Sequence, residues 1–80
     1  MTLRKQEQKD RIKFQKLFAE HLKKIRKIKG FTSAKLAKEC NMERSNIARL
    51  EGGRTNPSLF VLKKLAEGMG IELSELLKGL

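Results

Sequence analysis

The chain has 80 residues, with 19 Lys and Arg against 9 Asp and Glu, a formal net charge of +10, and a single Cys, His and Pro. A domain of this size buries about 60% of its unfolded surface and reaches at most the usual ~5–15 kcal/mol of stability. One histidine, His21, and one cysteine, Cys40, exclude a zinc cluster, a Cys-x-x-Cys pair and a Ser-His-Asp set, so neither enzyme chemistry nor a metal or cofactor is expected. No segment approaches the roughly 18 apolar residues of a membrane span, and the charged start has no signal-peptide pattern. A cytoplasmic protein with a packed, inert thiol at Cys40 is the expectation.

Phe14, Leu17, Phe18, Leu22, Ile25 and Ile28 recur at three- and four-residue steps, which predicts one long amphipathic helix ending at Gly30. Residues 1–11 have only Leu3 as an apolar group, so they are either a solvated extension of that helix or a disordered basic arm, with helix from about Lys9 favoured. Residues 12–80 form the domain. Thr32 is placed to cap a second helix running to about Cys40, with Phe31 before it as a staple partner. Asn41 falls where a tight turn requires a positive φ. A third helix spans about Arg44 to Leu50. Gly52 to Pro57 reads as a loop, and Gly52-Gly53 lacks the Lys-Ser or Lys-Thr of a nucleotide-binding loop. Ser58 caps a fourth helix that Gly70 stops, and Gly68 weakens its last turn by about 1 kcal/mol relative to Ala. A fifth helix covers about Leu73 to Lys78, with Glu72 and Glu75 answering its dipole. No segment alternates with period two, so the fold class is all-α.

The charge is uneven. The first 29 residues hold 11 basic and 3 acidic side chains, a net +8, whereas from Pro57 onward Lys63, Lys64 and Lys78 balance Glu67, Glu72 and Glu75. A polyanionic partner suits the first part, and the neutral last third suits a protein partner.

Leu36, Ala37, Cys40, Met42, Ile47 and Leu50 stand where two short helices crossing at a tight turn need small or apolar groups. That pattern reads as a helix-turn-helix, whose second helix enters the DNA major groove. With Ile47 and Leu50 turned inward, Arg44, Ser45, Asn46 and Arg49 are the candidate base-contacting residues. Arg matches both guanine acceptors and Asn matches adenine. Ser33, Arg54, Thr55 and Asn56 suit phosphate contacts through hydroxyls, backbone amides and a cation. Arg26 and Glu51 are placed to form a structural ion pair between the first and third helices. His21 is read as a surface residue of the first helix.

From about Phe18 to Leu77 the chain resembles the Cro/C1-type helix-turn-helix family, also called the XRE family. The resemblance rests on Leu22-x-x-Ile25-Arg26, Gly30-Phe31-Thr32, Leu36-Ala37, Ile47-x-x-Leu50-Glu51-x-Gly53, Asn56-Pro57-Ser58-Leu59 and Met69-Gly70-Ile71, in order and spacing. It implies a compact five-helix, lambda-repressor-like domain that binds operator double-stranded DNA, commonly as a homodimer. It also matches Arg26 and Glu51 to the family's structural pair, and Arg44, Ser45, Asn46 and Arg49 to its base-facing positions.

The chain departs from the family at three places. Ser33 replaces the usual Gln at the start of helix two, Glu43 replaces the Ser or Thr cap of the recognition helix, and Phe60 and Val61 occupy commonly polar positions. Leu59, Phe60, Val61 and Leu80 are therefore the expected dimer interface. The expected function is a repressor-like, sequence-specific transcriptional regulator. The alternative is an antitoxin or adaptor whose main partner is another protein, such as a toxin. A basic first helix lying on membrane or RNA is disfavoured, because its apolar stripe is needed for the core.

Overall fold

The long periodic segment forms α1, Lys5–Ile28, in the computed structural model, which describes residues 4–80. The helix begins one turn before the expected start at about Lys9. Of the 1–11 extension, the part from Lys5 is helical, and residues 1–3 lie outside the described residues. Four more helices follow: α2 (Ser33–Glu39), α3 (Arg44–Glu51), α4 (Leu59–Met69) and α5 (Leu73–Leu77). Among the described residues there is no strand, and no helix is long and apolar enough to cross a membrane.

The apolar stripe of α1 is narrower than its spacing predicts. Phe18, Ala19, Leu22 and Arg26 are buried, whereas Phe14, Leu17 and Ile28 are 53%, 48% and 71% exposed. Steps of three and four gather two neighbouring faces of a helix, and only one of them meets the body here. His21 is half-buried rather than on the surface, and its Nε2 is enclosed without a hydrogen-bond partner among the described residues.

Leu22, Leu36, Ile47, Leu65 and Leu76, one from each helix, are fully buried and make the centre of the core. Thr32 Oγ1 accepts from Lys35 N at 3.1 Å and Ser58 Oγ from Val61 N at 3.1 Å, so both expected caps close the first turns of their helices. Glu43 stands at the same position of α3 without a side-chain cap bond.

Three helix ends close in one way. After α2, Asn41 takes φ +54°, its N donates to Lys38 O at 3.1 Å, and Met42 N donates to Ala37 O at 2.8 Å. Gly30 with Phe31, and Gly70 with Ile71, repeat this Schellman closure after α1 and α4. The turn between α2 and α3 is thereby held by backbone bonds, and Lys64 Nζ adds a donor to Asn41 O at 3.3 Å.

Gly68 has a packing reason that helix propensity does not reveal. A Cβ there would overlap Cys40 Sγ and stand 3.3 Å from the Cys40 backbone nitrogen. The glycine lets α4 approach the end of α2, and Gly70 in the left-handed region closes the helix end with backbone hydrogen bonds. Burial pushes the Cys40 thiol pKa up, against a smaller opposite pull from Lys64, so the thiol stays neutral and unreactive at neutral pH.

Arg26 is the one buried charged residue among the described residues. Its Nε and Nη2 donate to Glu51 Oε2 and Oε1 at 2.6 and 3.0 Å, and its Nη1 donates to Phe31 O at 2.9 Å. The hydrogen bond to Glu51 raises the guanidinium pKa, against the opposing effect of burial.

Two measurements follow from this packing. Gly68→Ala should lower stability by about 1–3 kcal/mol in urea titration, although Ala is the better helix former, because the methyl group meets Cys40. Arg26→Ala should cost about 3 kcal/mol or more by leaving the Glu51 carboxylate enclosed, and the double variant Arg26→Met/Glu51→Leu should recover most of that loss.

Candidate nucleic-acid interface

The surface that could read a duplex is built on α3 and the loop that follows it. Ile47 and Leu50 point into the core, three residues apart, which turns the other side of this short helix outward. Arg44, Ser45, Ala48 and Arg49 are exposed. Arg44 and Ser45 occupy the first turn, where the unpaired backbone N–H groups and the positive helix end also lie. Asn46 is only half-buried. It lines an open cleft of about 260 Å³ with Arg49, Thr55, Asn56 and Val61.

That cleft brings together members of the two expected groups, since Asn46 and Arg49 of α3 and Thr55 and Asn56 of the following loop all line it. Arg44 and Ser45, the first two residues of α3, stand outside it. Ser33 is half-buried at the first position of α2, and Arg54 and Asn56 are exposed. Thr55 Oγ1 is enclosed without a hydrogen-bond partner among the described residues, so an outward contact from Thr55 would come from its backbone amide rather than its hydroxyl.

Gly53, with φ +73°, turns the chain from α3 into this loop. It is buried against α1: a Cβ at Gly53 would stand 3.3 Å from Lys16 Cα and 3.6 Å from Ala19 Cβ. Spacing within α1 alone does not reveal this contact. The only signal in the sequence is the glycine itself, which marks a close backbone approach without naming what approaches.

The expected interface residues divide. Leu59 and Phe60 are 70% and 65% exposed, and Leu80 is exposed as well. Val61 instead packs half-buried against the core, because it lies on the side of α4 that faces Met42 and Asn46. Among the described residues no group of His, Cys, Asp and Glu is gathered to hold a metal ion.

Comparison with known proteins agrees with this arrangement. The profile of the helix-turn-helix family matches residues 22–76. The immunity repressor protein of Bacillus phage phi105 is 40% identical over 55 residues, covering 69% of this chain and 38% of that protein. The control protein C.MunI of a Mycoplasma species is 38% identical over 60 residues, covering 74% of this chain and 81% of that protein. The chain therefore spans well under half the length of the phage repressor and most of the controller protein. Among solved structures, the restriction-modification controller protein C.AhdI from Aeromonas hydrophila superposes with a TM-score of 0.79 at 33% identity, covering 84% of this chain and 97% of that one. With the five-helix order, the Asn41 turn and the exposed face of α3, these similarities show that the chain belongs to the Cro/C1-type helix-turn-helix family of transcriptional regulators.

Proposed function

We propose that the protein binds operator DNA as a homodimer and regulates transcription in the manner of a repressor. The observation that carries this reading is the exposed Arg44, Ser45 and Arg49 face of α3, on a helix held to α1 by the buried Arg26 and Glu51 pair. Exposed donors on a rigidly mounted helix can match base edges. A free polar helix surface would not need the brace.

In this reading Arg44, Ser45 and Arg49 contact bases, with Asn46 reaching from the cleft edge. Ser33, Arg54, Asn56 and the Thr55 backbone hold phosphates on either side. Glu43, exposed before Arg44, disfavours phosphate nearby and can accept from the amino group of cytosine. The cytoplasm is the matching compartment. The family likeness supports DNA as the partner, and relatives named as an immunity repressor and as control proteins support the regulatory role.

Leu59 and Phe60, with the exposed Leu80, form the proposed two-fold contact, and Val61 supports α4 from the core side. The same exposed pair favours a second reading, in which a different protein such as a toxin covers it and DNA contact is secondary.

Selection from a random duplex pool should enrich a palindrome whose half-sites lie about 34 Å, one helical turn, apart. The selected site should bind at about 10⁻⁸–10⁻¹¹ M and weaken steeply with salt. Enrichment of no sequence over random duplex would overturn the proposal. Arg44→Ala should relax preference at one base position by about 1–3 kcal/mol, whereas Arg54→Ala should weaken all sequences alike. In sedimentation, Phe60→Asp should convert a dimer to a monomer. A wild-type chain that is already monomeric at operator-binding concentrations would assign the surface to another protein.

A further inference from the structure

The geometry assigns a second DNA-contacting surface to the protein: a lysine ridge along the first half of α1 that grips duplex phosphates beyond the reach of α3 and its loop. The inference rests on the operator-binding reading above and adds to it a surface outside residues 22–76, the segment that the family profile matches.

Lys5, Lys9, Lys13 and Lys16 follow one another at four, four and three residues, so they form one stripe on α1. All four are exposed, and none is in an ion pair among the described residues. Glu7 falls on the other side of the helix, whereas Asp10, three residues before Lys13, lies at the flank of the stripe and accepts from Gln6 Nε2 at 3.0 Å. Ile12 is the one apolar side chain on the stripe, and Glu20 lies one turn past its end.

The position of the stripe is set by Gly53. Lys16 Cα and Cγ stand directly against that glycine, so the ridge meets the loop at Gly53, next to Arg54. From there it runs back to Lys5, about 17 Å at the rise of an α-helix, which is the length of roughly five base pairs. Phosphates held by Arg54 and the Thr55 amide would therefore continue onto the lysines without a gap in positive charge.

The body offers the ridge no other partner. From Lys5 to Leu17 no side chain of α1 is buried, and only Gln15 is half-buried. A run of cations without an acidic partner in the body, joined at Lys16 to a candidate phosphate loop, fits a regular row of anions such as a duplex backbone.

The test compares the full chain with the variant K5Q/K9Q/K13Q/K16Q, whose glutamines keep the carbon stems and nearly the same helix propensity. Unchanged circular dichroism at 222 nm shows that α1 is intact. In titrations of duplex DNA at several salt concentrations, the slope of log affinity against log salt should fall by about 3 to 4, close to 0.9 for each phosphate that the variant no longer neutralises. The loss of affinity should be alike for the selected operator and for random duplex. A control, K63Q/K78Q, removes charge elsewhere and should leave the slope within about 0.5 of wild type.

An unchanged slope in the four-lysine variant overturns the ridge. An equal fall per charge in the control also overturns it, because the effect would then be one of net charge. Loss of binding to phosphatidylserine vesicles with the duplex slope intact would assign the lysines to a membrane and overturn it too. If the wild-type chain selects no sequence, the operator reading fails, while the slopes on random duplex still decide the ridge.

Discussion

The guanidinium of Arg26 is where three parts of the fold meet. It spans the two carboxylate oxygens of Glu51 at the end of α3 and the carbonyl of Phe31 in the turn after α1. Its own backbone carbonyl accepts from Phe31 N at 3.0 Å, so the same residue closes the end of its helix and ties that end to the next segment. A buried pair of this kind adds little net stability over a well-packed apolar pair, because desolvation offsets the attraction. What it contributes is direction. A planar fork answering a carboxylate in two places allows one relative orientation of α1 and α3, where an apolar contact would allow several. The outward face of α3 depends on that orientation.

The second constraint acts at the other end of α3. Asn41 and Met42 return their amides to Lys38 and Ala37, so the turn leading into the helix is set by backbone bonds and not by loop side chains. Glu43 can then stand before α3 without capping it, since the helix start is positioned from behind. Gly68 lets α4 lie against Cys40 at the end of α2, and Lys64 reaches Asn41 O from the same helix. α4 therefore supports the turn directly. Its Val61 side closes the cleft beside Asn46, while its Leu59 and Phe60 side stays open.

Much of this architecture is legible in the sequence. The caps Thr32 and Ser58, the positive φ at Asn41 and the stops at Gly30 and Gly70 are local events, decided by a residue and its near neighbours, and they stand where the sequence places them. Pattern says less where a third element decides the outcome. Phe14, Leu17 and Ile28 share the period of the core residues of α1, but they stay about half exposed or more, Phe14 reaching only the edge of a small cleft with Leu62 and Leu77, and period alone does not say where the body ends. Val61 reads as part of an exposed pair with Phe60 because the two are adjacent, yet about 100° of helix rotation separates neighbours, and that rotation brings Val61 onto the core. Thr55 and Gly68 show the same limit at the scale of atoms. A hydroxyl in a loop reads as a phosphate contact until its oxygen is seen to face inward, and a helical glycine reads as a weakness until Cys40 is seen against it.

The first half of α1 shows how stability and partner demands separate along one chain. Like charges one turn apart on an isolated helix are destabilising by about 0.2–0.5 kcal/mol per pair, and Lys5, Lys9 and Lys13 form two such pairs. Little packing compensates, because before Phe18 no side chain of the described part of α1 is more than half-buried. The segment continues a helix whose packed half, Phe18 to Arg26, is held by the core, and extending an existing helix costs less per residue than starting one. Folding requirements alone would be better met by alternating signs at these positions. A polyanion removes the repulsion and leaves the helical spacing intact, so lysines that weaken the free chain become favourable where phosphates lie alongside. The fold does not call for this arrangement, and a duplex backbone alongside the helix would favour it.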